Sequence, residues 1–470
     1  MVATTAPLPL ISSPSASLTA SLAAALRQVV PSSIDPDTLL AAQRYILDWA
    51  ASAIAGTSTP AGEILIAEGL DSSTGSSEVL GLSQGRDALV AAFTNGGLSH
   101  IAEMDDIDRG SVVHPGTVVI PAALAVAQEV GSTGLEFLTA VIVGYEAAIR
   151  VGETVGRSHY EYWQNTATCG TFGAAAAAGY LYGLSEEEFV WAFGSAGSMA
   201  AGLWQFKHDG AMTKSLHTAQ AASNGVRAAR LARRGFTGAR SILEGPQGFF
   251  AAMSRDARPE LVLAGLDSGL GSSTSPWKIH GVSLKPHASC RHTHAAVDAA
   301  LNLRQDLGQL SPDEIRSVRV TTYAAAVAIT DNPAPHTAYQ AKFSMQYCVA
   351  QSLLTGLLGP HDFGTSQIAD PQTRELVAKV ELTVDPTLDA RYPTAWCARV
   401  AVETNDGRFR QVLIEAPKGD PERQLTPAEL EFKLRDLAQG TVFANKTGAV
   451  VEAVAGLAAR ASMLNFLPHL

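Results

Sequence analysis

Apolar residues recur at helical spacing over most of the first 270 positions. Residues 38–53 carry an apolar face that stops near Gly56, and residues 87–101, 117–130 and 134–156 repeat the pattern. Each stretch predicts a helix with at least one buried side. Residues 174–183 are so rich in alanine that their helix has to lie inside a bundle. Ser185 reads as an N-cap, with Glu186, Glu187 and Glu188 placed where a helix's first turn favours negative charge. Residues 213–234 predict a further long helix, closed by Gly235.

The texture changes at residues 271–275, a Gly/Ser/Thr stretch that reads as a linker. Alternation with period two then predicts strands at 317–323, 377–384, 399–404 and 409–415. The last two are joined by the hairpin turn Asn405-Asp406-Gly407. Helices are predicted between them at 293–307 and 341–358. Helical pattern returns at residue 426, with Pro427 at a first helical position. The expected fold is mainly α. It has a large all-helical domain (18–270 with 424–470) and a smaller α+β lid domain (271–423). Residues 1–17, rich in proline and uncharged, read as a disordered tail.

Composition narrows the function. A chain of 470 residues is too long for one ordinary core, and 46% hydrophobic against 17% charged residues fits a large interior. The net charge of -11 argues against nucleic acid and anionic membrane surfaces as partners. No apolar run has bilayer length. Cys169, Cys290, Cys348 and Cys397 are widely spaced and form no CxxC pair. Neither a disulfide framework, a structural zinc site nor an iron–sulfur cluster is expected, and free thiols fit the cytoplasm. The N-terminus lacks the basic start and apolar core of a signal peptide. Dinucleotide, phosphate-loop, serine-hydrolase and zincin motifs are all missing, which disfavours nucleotide and nicotinamide chemistry.

Candidate chemistry concentrates in three places. The first is EMDDIDRGSVVHPGTVVI, residues 103–120, where Glu103, Asp105, Asp106, Asp108 and Arg109 precede a His114-Pro-Gly turn. The aspartates can orient a proton donor or cap a helix. Arg109 can meet a substrate carboxylate, and His114 is a natural acid or base. The second is Lys214 and His217, three apart at a predicted helix start where anions are favoured. The third is His287 to His294, with Arg291 and His292 at the start of a helix; anion binding with one acid/base histidine fits it better than a metal site. Gln164 lies in a segment that reads equally as a substrate loop or a helix cap. Tyr347 is a core tyrosine unless its pKa is depressed.

Several segments together resemble the 2-methylcitrate dehydratase, or MmgE/PrpD, family. They are SHIAEMDD, VVHPGTVVIPAALAVAQ, TFGAAAAAGYLYGLS, AMTKSLHTAQAASNGVRAARLARRGFTG, KPHASCRHTHAAVDAA and AKFSMQY, in family order from about residue 18. The resemblance implies a helical domain and a lid with a site in the cleft between them. It also implies a homodimer, no metal or other cofactor, and a small polycarboxylate substrate. Carried over, His114 and His294 are the proton-transfer pair, Lys214 is the helix lysine, and Asp105 and Asp106 are the aspartate pair. Lys214, Arg291 and Arg109 are assigned to substrate carboxylates. Glu103, Gln164, His217, His292 and Tyr347 are expected around them.

Gln164 departs from the decarboxylase branch, which carries histidine there, as do Glu103 and Ile107, where that branch has aspartate and threonine. The seven-residue loop between the aspartate pair and His114 matches the epimerase branch. The expected reaction is dehydration of a hydroxy-polycarboxylate of the 2-methylcitrate type. The alternatives are epimerisation of an iminodisuccinate-like acid, cis-aconitate-type decarboxylation, or non-catalytic carboxylate binding.

Overall fold

Start and stop signals bound the helices as the sequence predicts. The protein is described here by a computed structural model covering residues 17–467. Pro36–Gly56 begins behind Asp35, whose carboxylate accepts from the Thr38 N–H. Gly134–Thr154 and Glu186–Met199 each open on a capping box, Thr133 with Glu136 and Ser185 with Glu188. The predicted tail lies outside the described residues up to position 16. Its last member, Ser17, is ordered by capping: its hydroxyl accepts from the Ala20 N–H at the head of Leu18–Arg27.

The helix Thr213–Ala232 packs against Ala88–Ile101, Asn165–Leu181 and Glu186–Met199 at the centre of the large domain. Small residues make this approach possible. A Cβ on Gly225 would lie 2.3 Å from the Ala174 Cβ, and one on Gly173 would lie 2.7 Å from the Gly144 carbonyl oxygen. Asn165–Leu181 begins well before the alanine run that announced it. Its first half is buried but carries threonines, which break the apolar period. These hydroxyls are satisfied inside, Thr171 on the Ala167 carbonyl and Thr168 on His159.

The smaller domain holds a four-stranded sheet in the order Val380–Val384, Ile315–Thr322, Ala398–Thr404, Phe409–Ile414. The first pair is parallel and the others antiparallel. Burial alternates along Ala398–Thr404, and the helix His294–Leu307 covers that face. A second, two-stranded ribbon pairs Ile107–Asp108 with Val282–Ser283. It ties the acidic loop of the large domain to the segment entering the lid. The large domain therefore carries short extended segments, Thr74–Ser77 among them, beside its helices. After the sheet, Pro427–Leu437 packs back on Pro36–Gly56, and the Lys433 ammonium is held by Asp48 and the Met104 carbonyl. Helix does not persist to the end as the pattern suggests: beyond Ala455 the described chain holds only the single turn Leu457–Ala459. Among the described residues no helix is long and apolar enough to cross a membrane.

Candidate active site

The loop between Ala88–Ile101 and Gly116–Val130 carries the charge noted in the sequence, and buried hydrogen bonds fix its path. Asp106 accepts from the Gly116 N–H at 3.0 Å and from the Tyr145 hydroxyl at 2.6 Å, which holds the His-Pro-Gly turn against the bundle. Burial pushes the Asp106 carboxyl well up, beyond what the Tyr145 hydrogen bond recovers. Asp108 caps the turn by accepting from the Ser111 N–H and hydroxyl. Thr166 accepts from the His114 N–H, and Asn165 donates to the Ser111 carbonyl, so the loop is also pinned to the next helix.

This frame presents Asp105 between two imidazoles. Its Oδ2 accepts from His100 Nδ1 at 2.8 Å and lies 2.6 Å from His114 Nδ1. Its Oδ1 has no hydrogen bond and faces the Lys285 ammonium at 3.6 Å. Burial opposes the Asp105 charge, but His100, Lys285 and His114 outweigh it and hold the carboxyl well below its usual range. Burial lowers His114 to about 4, against the raising pull of Asp105, so the imidazole is neutral at physiological pH.

Glu103 sits one turn away, with φ at +60°, a backbone conformation that costs a non-glycine residue energy and clusters at functional sites. It pairs with Lys214 and lies 3.5 Å from Lys285. Burial works against the Glu103 charge, but the two ammoniums hold it ionised. Lys285 is 1% exposed. Its burial is outweighed by Asp105 and Glu103, which keep it above the ordinary lysine range.

These groups line a cavity between the two domains. The helical side supplies Glu103, His114, Tyr160, Gln164, Trp204 and Lys214, and the lid side Lys285, Cys290, Arg291, His292, Phe343 and Trp396. The free volume is about 30 Å³. A roomier hollow of about 630 Å³ beside Gln309 and Asp370 has neither lysine nor histidine in its walls.

His292 lies flat on Trp396, ring centroids 4.3 Å apart, with Nδ1 2.7 Å from the Tyr323 hydroxyl. Burial brings it down to about 3. Arg291 reaches the wall, but its guanidinium is bound by the buried Asp420 and the Lys418 carbonyl. Gln164 stands at the head of Asn165–Leu181 without capping it, and its amide bridges His100 and His217. His217 is thus one residue removed from the cavity.

Six expected residues are absent from the cavity lining: Asp105, behind His114, His217, behind Gln164, and four others. His294 is fully buried behind Arg291. Its Nδ1 accepts from Arg291 and its Nε2 donates to the Ser289 carbonyl, so neither nitrogen is left for proton transfer. Arg109 is spent on Asp420 and Glu422 at the lid's second connection. Tyr347 donates to the Asp362 carbonyl inside the lid, and burial raises its pKa rather than depressing it. Asp106 is structural, as described. His100 and Lys285 were missed as site residues. Both lie in the segments SHIAEMDD and KPHASCRHTHAAVDAA, where a lysine amid apolar and small residues was the available signal.

His100, Asp105 and His114 are also the one grouping with metal-ligand chemistry among the described residues, their ligand atoms lying within 4.8 Å of one another. Those atoms are already turned on each other, and the Lys285 ammonium beside Asp105 opposes a second cation.

The MmgE/PrpD N-terminal domain matches residues 20–262, and the MmgE/PrpD C-terminal domain matches residues 287–457. A cis-aconitate decarboxylase-like protein of Aspergillus oryzae is 27% identical over 97% of this chain and 98% of its own length. The cis-aconitate decarboxylase of Homo sapiens is 28% identical over 89% of this chain and 87% of its own. The 2-methylcitrate dehydratase of Escherichia coli is 27% identical over 53% of each. The chain belongs to the MmgE/PrpD family.

Proposed function

We propose that this chain is a cofactor-independent lyase that dehydrates a small hydroxy-polycarboxylate of the 2-methylcitrate type. The observation that carries the reading is a neutral histidine, His114, backed by the buried anion Asp105 and facing the ammoniums of Lys214 and Lys285. With Asp105 at Nδ1, the Nε2 of His114 is the base toward the cavity. It takes a proton from carbon next to a substrate carboxylate. Such a carbon is a weak acid, so the charge that develops on the carboxylate oxygens needs fixed cations nearby. Lys214 and Lys285 supply them once the substrate displaces Glu103 from Lys214. His292, on the opposite wall, is the group placed to protonate the leaving hydroxide, and the substrate's negative charge favours its protonated form.

A free volume of about 30 Å³ holds about two waters. A seven-carbon acid therefore enters only if the lid moves. The reading includes a homodimer in the cytoplasm. Cis-aconitate-type decarboxylation is the second reading. The full-length match to decarboxylases favours it, since the dehydratase matches over about half the chain. Decarboxylation forms the equivalent carbanion, which needs one proton donor and no base.

The test is proton NMR of chelator-treated protein in deuterated buffer with 2-methylcitrate, citrate, cis-aconitate and the iminodisuccinate isomers. An alkene formed from a hydroxy acid supports the proposal. Decarboxylation of cis-aconitate establishes the second reading, and deuterium exchange without an alkene points to an epimerase. Unchanged spectra throughout contradict every catalytic reading and leave carboxylate binding.

A further inference from the structure

We infer that Gln164 is a positioning residue: its amide takes up the acceptor nitrogen of His100, passes the tautomer that Asp105 sets there on to His217, and thereby leaves His114 as the base on the helical wall. Asp105, as an anion, can only accept. His100 Nδ1, at 2.8 Å, therefore carries a hydrogen. Burial keeps His100 neutral, with one ring hydrogen, so its Nε2 is an acceptor. The Gln164 group 3.1 Å from that nitrogen has to be the amide N–H. The Gln164 oxygen then faces His217 Nδ1 at 2.6 Å, which must donate. The reverse amide orientation would set an oxygen against a bare nitrogen.

Three donors in series, from His217, Gln164 and His100, thus point at one carboxylate. Both nitrogens of His100 are committed. His114 touches the same Asp105 oxygen at 2.6 Å and keeps its other nitrogen outside the chain. The catalytic consequence rests on the lyase reading above. The placement of the protons does not.

The experiment is heteronuclear NMR of the full chain with isotope-labelled histidine at neutral pH, with His100→Asn and His217→Asn used to assign signals. His100 and His217 are both expected to be neutral and protonated at Nδ1. Either ring found protonated at Nε2 overturns the inference. Gln164→Glu sharpens the test. A carboxylate can only accept, so a further proton must enter, on His100 or on the new carboxyl, while His217 is unchanged. An imidazolium signal for His100, or a neutral His100 beside a protonated carboxyl, is expected, with kcat about tenfold lower or more and KM far less affected. A His100 that stays neutral and protonated at Nδ1 beside an ionised carboxylate in that variant refutes the proposed role. Should the variant fail to fold, the parent spectrum still decides. Expected tautomers in a protein that turns over no substrate would leave this inference standing and sink the lyase reading instead.

Discussion

Replacing Asp105 by asparagine separates the charge of this residue from its shape. The amide oxygen can still accept from His100 Nδ1, as the carboxylate does at 2.8 Å. The same oxygen faces His114 Nδ1, 2.6 Å away in the parent, so the amide nitrogen takes the place of Oδ1 beside the Lys285 ammonium. What is lost is the negative charge that stabilises the imidazolium His114 becomes on taking its proton, so the base is weakened with its shape kept. General-base catalysis is worth about 10²- to 10⁴-fold, and losing it raises the barrier by about 3–5 kcal/mol. Lys285 also loses the charge 3.6 Å away but retains Glu103 at 3.5 Å. The fold should therefore give up about 2 kcal/mol rather than collapse. The assay is steady-state kinetics on the substrate identified by NMR, with urea unfolding of both proteins. A kcat within about threefold of the parent would refute the role given to Asp105.

Four further outcomes follow from the same geometry. Lys285→Met should raise KM and lower kcat by about tenfold or more each, because a substrate carboxylate and its developing charge lose one cation; unchanged kinetics would exclude Lys285 from binding. His114 is held neutral down to about 4, whereas an unfolded chain takes up its proton near 6.5. Its contribution to stability is complete above the unfolded value and lost as pH falls toward the folded one. Between neutral pH and about pH 5 the parent should thus lose about 2 kcal/mol more than His114→Asn in urea unfolding, and equal slopes would contradict the buried neutral imidazole. Tyr347→Phe should leave kcat and KM unchanged and cost about 1 kcal/mol, since its hydroxyl only donates to the Asp362 carbonyl; a large loss of turnover would restore it to the site. Exhaustive chelation should not alter turnover, and a loss reversed by a divalent metal would turn His100, Asp105 and His114 into a metal site.

What the sequence disclosed and what it hid have physical reasons. Ala398–Thr404 alternates in and out of the core, and its neighbours carry β-branched and apolar residues between polar ones, so the lid's strands are visible in the sequence. Val380–Val384, Ala398–Thr404 and Phe409–Ile414 fall where alternation puts them. The sequence marks a Gly-rich helix start at residues 169–173, and the turn before it, from Asn165, was hidden because its buried threonine and asparagine bond internally. His114, Lys214 and Asp105 were legible because charge beside an apolar helix is conspicuous. His294, expected as the second proton-transfer group, is turned away from the cavity, and the proposal gives that part to His292. Both rings are buried, and no pattern along the chain says which one turns toward the cavity and which is consumed by Arg291. Arg109 and Arg291 have the chemistry of carboxylate binders, yet Asp420, remote in sequence, engages both. His100 escaped notice because it lies within an apolar helical run, and only the folded loop brings it to Asp105.

The central claim is that His114 exchanges a proton with carbon next to a substrate carboxylate. The most direct measurement is deuterium incorporation at that carbon, followed by NMR in deuterated buffer for the parent and for His114→Asn, with circular dichroism confirming that both are folded. The account predicts rapid incorporation in the parent and a rate lower by about 10² or more in the variant. Equal rates in the two proteins would contradict it and move the proton transfer to another residue.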